Sequence, residues 1–539
     1  MAYSHWFVSR QKRQLTGILP ALISYSDICV GKYWPGNTEL QLAWEDELQK
    51  RNITQHGNLR ARKSNEGGGG TRTLFKQMKD LGLVFLEDEN KYCRLTLIAE
   101  ELIKGNITFV DAMRMQLQKY QYPSAACWSG SGAVSHSFVV HPFQFLFRLL
   151  REPKLNNVLT MDEMQGIVIH YANSDKKATF DKVVDMILEF RNTGTVDGYI
   201  SDTPTKTYSN IANTFFNYIS LTQFVDRGPQ SIMIRSDKKH EVDAFIQDDP
   251  KFISHPELTE NYQRAYGRGK AAKDLRDFNK DNKLTATQIS EERIRKEYVL
   301  LSLRTPITSI TTDIVQEIAK ATGIDEKKVE KFLLKTYPHG NISDFFLAYR
   351  ELAFMSQEYA TEFEIATTEI FKKIFNMRAV HLGQTGSTAA PDVFVESDEL
   401  HYSGILDNKA YKKGFSLTGN FKRVMTHEYI PNLNNYVDAK YPLAFFSYIS
   451  GTFKGHIDTE LKGIAVETGV SGSAMPVDVF IDFAQSYAES HFNHQTIRDI
   501  FSVNREVRLT DLELARNSIK FNTDEENVLT AAETSSSFV

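Results

Sequence analysis

The chain has 539 residues, several times the usual domain length of about 100 to 200, so one compact domain is excluded and three or four separate cores are expected. Hydrophobic residues at 41% and charged residues at 24% exclude wholesale disorder and the collagen-like and coiled-coil classes. Lys and Arg (63) against Asp and Glu (68) give a net charge of −5, so a nucleic-acid partner has to be met by local basic patches.

In chain order, the first 105 residues hold Trp6, Trp34 and Trp44 and one basic stretch. Between Lys50 and Lys79 eight Lys or Arg stand against Glu66 alone, a net +7. Within it, Gly67 to Gly70 reads as a loop, and Thr71 reads as the cap of a helix with Leu74, Phe75, Met78 and Leu81 on its apolar face. Gly82 ends that helix. Leu83 to Leu86, a polar turn, and Tyr92 to Thr96 make a hairpin, and Ala99 to Ile103 is helical again. Helix, hairpin, helix is the order of a winged-helix module.

A similar order recurs at about 155 to 245. Asp162 to Tyr171, Phe180 to Arg191 and Ile211 to Leu221 read as helices, followed by strand-like Phe224-Val225, the turn Asp226 to Pro229, and Ser231 to Ile234. Phe138, Phe143, Phe145 and Phe147 read as core packing. Arg264 to Lys283 carries seven Lys or Arg and three Asp, and reads as a linker or a DNA-facing segment. Helical patterns dominate 285 to 375. Short strands such as Tyr402 to Leu406 and Leu443 to Ile449 alternate with helices over 390 to 485. After Lys520 the tail is acidic and is expected to be disordered. Three cysteines, Cys29, Cys93 and Cys127, build no disulfide framework and no zinc spacing, and no run approaches the ~20 apolar residues of a membrane span. A cytoplasmic protein with no membrane partner is expected.

The chemistry concentrates in Pro391-Asp392 and, after fourteen residues, Asp407-Asn408-Lys409 at the end of a strand-like run. Two carboxylates on adjoining strands can meet, hold Mg²⁺ through hard oxygen ligands, and leave positions for a phosphate oxygen and a water. Lys409 lies two residues beyond Asp407, on the same strand face, where its ammonium can act on that water and on the charge building on the phosphate. This is the spacing of a PD-(D/E)xK nuclease core. A carboxylate from the preceding helix, Glu369 or Glu364, would complete the metal set, with Glu369 taken first. The alternative is a turn aspartate beside a solvated Asp/Lys pair.

Residues 364 to 411, with Glu369-Ile370-Phe371, His381-Leu382-Gly383, Pro391-Asp392 and Asp407 to Tyr411, resemble the cleavage domain of the FokI-like type IIS restriction endonucleases in order and spacing. Phe445 to Gly455 resembles a strand and Ser-Gly-x-Phe-Lys-Gly turn later in the same domain. The likeness covers roughly 345 to 510 and implies a Mg²⁺-dependent DNA cleavage module centred on Asp392, Asp407 and Lys409. Trp6 to Arg10, Tyr33-Trp34, residues 71 to 104 and Leu117 to Pro123 resemble, more loosely, the recognition regions of AlwI-type endonucleases. That implies an N-terminal half that reads an asymmetric duplex site, with Arg60, Arg62, Lys63 and Arg72 as phosphate-binding charge.

The expectation is a multidomain α/β protein: an N-terminal recognition domain with a winged-helix-like unit (1–150), a second such domain (151–250), a helical connector (251–344), a PD-(D/E)xK restriction-endonuclease-like cleavage domain (345–516) and an acidic tail (517–539). The function implied is cutting duplex DNA at a fixed distance outside a short asymmetric site, through transient homodimers of the cleavage domain. The helix after Tyr411, with Phe421, Lys422, Arg423 and His427, lacks the acid/arginine pairing that the family uses for dimer contact. A strand-nicking enzyme is therefore the first alternative, and a winged-helix regulator with an inert nuclease-like domain the second.

Overall fold

The computed structural model describes residues 5–9, 15–51, 53, 69–124, 138–201, 206–228, 230–248, 250–256, 259–278, 284–355, 359–383, 390–411 and 414–519. The chain divides into two compact units, residues 1–303 with 309–347, and 304–308 with 348–539.

The first unit is mostly helical. Helices Ile18–Ile28 and Thr38–Lys50 close on an aromatic core of Tyr25, Trp34, Trp44 and Phe75, in which the Trp44 indole donates to Ser24 Oγ at 2.8 Å. The helix Gly69–Asp80 starts two residues before its expected cap, so Gly69 and Gly70 are helical and Thr71 is buried in the first turn. A first helical turn requires none of its own N–H groups to be bonded within the helix, which makes it permissive for glycine. Gly82 closes the helix at φ +70°, where a Cβ would meet Gln116 Nε2 at 2.4 Å. Strands β1 (Val84–Leu86) and β2 (Cys93–Leu95) then pair antiparallel, and the helix Leu97–Ile103 follows, in the expected order.

Downstream, the helix Pro142–Arg151 buries Phe143, Phe145, Phe147, Leu149 and Leu150 completely. Strand β3 (Val158–Thr160) joins β4 (Val225–Arg227) and β5 (Ser231–Ile234) in an antiparallel sheet of order β3-β5-β4, beside helices Lys177–Thr193 and Thr207–Ser220. The stretch expected as a helix over 162 to 171 widens into a π turn at Met164–Val168. There the Tyr199 ring lies so close that a Cβ on Gly166 would sit 2.1 Å from it.

The stretch from Arg264 is not a linker as far as it is described. It begins in the helix Thr259–Tyr266, whose Gln263 donates to the Lys79 carbonyl at 2.7 Å, and the Ile98 N–H donates to the Gly267 carbonyl at 2.9 Å. Arg264 pairs with Glu260 and Asp274, and Arg276 pairs with Asp274 and Glu100, whereas Arg268, Lys270 and Lys273 of the same stretch are exposed. Helices Ala286–Leu301, Thr312–Thr322 and Glu326–Thr336 follow.

The second unit is built on six strands: β6 (Arg378–His381), β7 (Val393–Ser397), β8 (Tyr402–Lys409), β10 (Leu443–Ser450), β12 (Ser471–Pro476) and β13 (Arg505–Glu506), in the order β13-β12-β10-β8-β7-β6. Strands β8, β10, β12 and β13 run parallel, whereas β6, β7 and β8 are joined antiparallel. Two short strands, β9 (Phe415–Ser416) and β11 (Phe453–Lys454), pair apart from this sheet. β7 is buried along its length and β8 up to Asn408, as befits a sheet covered on both faces. One face packs Phe394, Ile405, Phe446 and Tyr448 against Leu461 and Ile464 of the helix Ile457–Thr468. Elsewhere in the unit Phe371 stacks on Phe480 and packs at a tilt against Phe501, Phe375 meets Phe480 edge-on, and the helix Ala360–Lys373 lies against β6, β7 and β8.

Candidate active site

β8 carries Asp407 and Lys409 to its C-terminal end, where open α/β sheets bind ligands. β7 runs the opposite way, so the residue just before it, Asp392, arrives at the same end. The register Val393↔Leu406 sets Asp392 opposite Asp407, and both side chains share the face of Phe394 and Ile405. The turn is pinned by its backbone: Asp392 N–H donates to the Leu406 carbonyl at 3.1 Å, its carbonyl accepts from Leu382 N–H at 2.8 Å, and its Oδ2 accepts from Asn408 N–H at 2.6 Å.

Lys409 Nζ donates to Asp407 Oδ1 at 2.5 Å and sits 5.1 Å from the centre of the Phe421 ring. Its carbonyl accepts from Ser450 Oγ at 2.7 Å, which ties the end of β8 to β10. Asn408 turns to the other face and donates to Thr367 Oγ1 at 2.6 Å, and Thr367 shares a second bond with the Tyr349 hydroxyl.

The charges interact strongly. Burial pushes the Asp392 carboxyl well above the usual carboxylate range, and the neighbouring Asp407 charge adds to the push while Lys409 opposes it. Burial alone would lower the Lys409 ammonium, but Asp407 and Asp392 outweigh it and hold the group above its ordinary value.

Glu364 is the helix carboxylate that belongs to this group. Burial raises it, a 2.8 Å hydrogen bond from His381 opposes that, and the Asp407 charge raises it further. Gly383 makes room for the pair, since a Cβ there would lie 2.3 Å from Glu364 Oε2. Glu369, five residues on, is turned about 140° around the helix axis and pairs with Lys372 and Lys373 instead. The structure therefore brings Asp392, Asp407 and Lys409 together and adds Glu364 with His381, but does not bring in Glu369.

Among the described residues no three His, Cys, Asp or Glu side chains form a ready metal cage. The donor set still fits Mg²⁺, which keeps several waters and is commonly bound by one or two carboxylates plus substrate phosphate. Asp392 and Asp407 would hold it. Their adjacent oxygens, costly to ionise together, are the kind of pair that a divalent cation relieves.

Of the residues expected to bind DNA, Arg72 is exposed on the helix Gly69–Asp80, and Arg60, Arg62 and Lys63 lie outside the described residues, as does the acidic tail from residue 520. No described helix is long and apolar enough to cross a membrane. The Thr367 and Tyr349 support beneath Asn408 carries no motif by which the sequence could have revealed it.

Residues 323–508 match the family model described as FokI, cleavage domain. Residues 78–281 match the model described as restriction endonuclease BpuJI, N terminal. The recognition-half similarity thus bears the name BpuJI, where the residue pattern suggested the AlwI type. Type II restriction enzyme StsI of Streptococcus sanguinis is 27% identical over 148 residues, 26% of this chain and 24% of that protein, so the chain spans about a quarter of the length of the curated relative it matches. A structure of restriction endonuclease FokI overlays with a TM-score of 0.30 and 12% identity, covering 94% of this chain and 100% of that one. The BpuJ1 endonuclease binding domain, in complex with pyrene- and phenanthrene-modified DNA, overlays with a TM-score of 0.36 and 13% identity, covering 50% of this chain and 96% of that one. Overlays this loose carry no argument. In chain order, the protein carries a stretch similar to the N-terminal region of BpuJI and then a stretch similar to the cleavage domain of FokI, and Asp392, Asp407 and Lys409 lie in the second.

Proposed function

We propose that the protein is a type IIS restriction endonuclease of the cytoplasm: its N-terminal half reads a short asymmetric duplex site through winged-helix-like modules, and its C-terminal unit, a PD-(D/E)xK nuclease, hydrolyses phosphodiester bonds at a fixed distance outside that site. The observation that carries this reading is the antiparallel β7/β8 register, which sets Asp392 against Asp407 with Lys409 two residues on, inside the stretch similar to a FokI cleavage domain.

Mg²⁺, when bound, supplies Lewis-acid stabilisation of the charge that develops on the phosphate. Asp392 and Asp407 present the oxygens that hold it. Lys409 Nζ, kept protonated by both carboxylates, orients the attacking water and donates to a non-bridging phosphate oxygen. The Phe421 ring covers the ammonium from one side. Glu364 and His381 hold each other beside this group, on its helix side.

Among the described residues the chain has one such site, which attacks one strand, so a double-strand break requires two cleavage units, and we infer a transient homodimer on DNA. Arg423, Lys422 and His427, after Tyr411, are paired within the chain to Glu428, Glu460 and Glu467. A dimer through this surface would have to exchange those pairs or use other residues.

Supercoiled plasmid carrying the site, incubated with and without Mg²⁺, tests the reading. Mg²⁺-dependent linear product is expected, open circles alone would indicate a nicking enzyme, and plasmid left supercoiled under both conditions would indicate a DNA-binding regulator with an inert nuclease fold.

A further inference from the structure

We infer that Tyr429 is a further catalytic residue of the site proposed above: its hydroxyl donates a hydrogen bond to a non-bridging oxygen of the phosphodiester held at Asp392, Asp407 and Lys409. The inference rests on the nuclease reading and adds a substrate contact to it.

Tyr429 belongs to the segment that covers this face of the sheet. The helix Gly419–Val424 runs on into a π turn, Met425–Tyr429, in which the Ile430 N–H donates to the Met425 carbonyl at 3.2 Å, an i→i+5 bond. Phe421, Met425 and Tyr429 follow one another at four-residue steps. In a regular α-helix such steps drift by about 40° each, and a wider turn offsets the drift. All three side chains therefore face the sheet. Phe421 lies over the Lys409 ammonium, and Met425 and Tyr429 join Phe394, Ile405 and Tyr448 in one buried cluster. The β8/β10 register sets Tyr448 opposite Asp407, so that cluster runs up to the carboxylates.

The two tyrosines differ in what their hydroxyls do. Tyr448 donates to the Phe421 carbonyl at 3.2 Å, whereas Tyr429, only 8% exposed, bonds through its hydroxyl to no described residue. The Tyr429 oxygen is nonetheless reachable from solvent. After burial, the Asp407 and Asp392 charges do most to push this hydroxyl above its ordinary value, ahead of Tyr436 and of Glu428 beside it in the chain. It is thus turned toward both carboxylates, bonds to neither, and stays a neutral O–H donor. A phosphate oxygen brought to Asp392 and Asp407 supplies the acceptor it lacks. No bond to Tyr429 forms or breaks. Water adds to phosphorus, the P–O bond to the leaving oxygen breaks, and the hydroxyl stabilises the charge that grows on the non-bridging oxygen.

The test uses the full chain and Tyr429→Phe, which deletes the hydroxyl and keeps the packed ring. The substrate is a duplex spanning the wild-type cut position, unmodified or with sulfur replacing either non-bridging oxygen of the scissile phosphate. Each is assayed in Mg²⁺ and in Mn²⁺, the softer cation that keeps thio-substituted phosphates cleavable. On the unmodified duplex Tyr429→Phe should cut about 10- to 100-fold more slowly in single turnover, with duplex affinity and melting temperature unchanged. Sulfur is a weak acceptor, so on one thio-duplex the wild-type advantage should shrink to near one while the other retains it. A hydroxyl that only supports the fold would slow all three duplexes alike, and that result overturns the contact. Tyr429→Phe that matches wild type on the unmodified duplex overturns it too, and leaves the nuclease reading standing. A wild type that cuts no duplex with either cation overturns the nuclease reading and the contact with it.

Discussion

Asp392 is held by the protein in a state that disfavours its ionised form, because burial and the facing Asp407 both raise its carboxyl. Between its unfolded and folded pKa values the native state binds the extra proton, so stability falls as pH rises through that window. In a chelator, Asp392→Asn should therefore melt higher than wild type at pH above the ordinary carboxylate range, by about 2 to 4 °C for each kcal/mol relieved, and the gap should close in acid. Adding Mg²⁺ should raise the melting point of wild type and leave the variant unmoved. Equal melting curves across pH would remove the carboxylate repulsion on which the metal assignment rests. Lys409→Ala addresses chemistry: cleavage should fall about 10² to 10⁴-fold with DNA affinity unchanged, since the ammonium acts on the transition state. Near-normal turnover in a quench assay would make this lysine a structural partner of Asp407 only.

Among the elements, β8 is the one on which the site depends. Its inner residue Gly404 lies under Phe445, whose Cζ would be 2.3 Å from a Cβ at that position. Gly404→Ala should cost about 1 to 3 kcal/mol in chemical denaturation and slow cleavage by moving Asp407 off its register with Asp392. An unchanged midpoint would mean that the ring can step aside. β8 and β10 were legible in the sequence because a doubly covered strand writes itself as an apolar run, and the Asp-x-Lys spacing follows directly from a two-residue pleat. Helix Ala360–Lys373 was legible as a helix, but which of its glutamates turns to the site was not, since that depends on His381 and Gly383 on the far side of the contact. The π turn at Met164–Val168 and the packing from Arg264 onward were hidden for the same reason. Tyr199 stands more than thirty residues from that turn, and the partners of Arg276 include Glu100, 176 residues away.

For the whole molecule, the two halves carry different physics. If the first unit holds DNA by its phosphates, binding by the full-length Asp407→Ala protein should weaken log-linearly with salt, each phosphate contact adding about 0.9 to the slope, and Arg72→Ala should lower that slope by about one. A slope of zero in a filter-binding titration would leave Arg72 without a role. The central claim is that sequence is read in one half and cut by Asp392, Asp407 and Lys409 in the other. Its most direct test is to digest genomic DNA with the full chain in Mg²⁺ and sequence every new end, beside an Asp407→Ala control. Ends at one fixed offset from one short asymmetric sequence, absent from the control, are predicted. Ends scattered without a common sequence, or equal numbers of ends from the Asp407→Ala protein, would contradict the account.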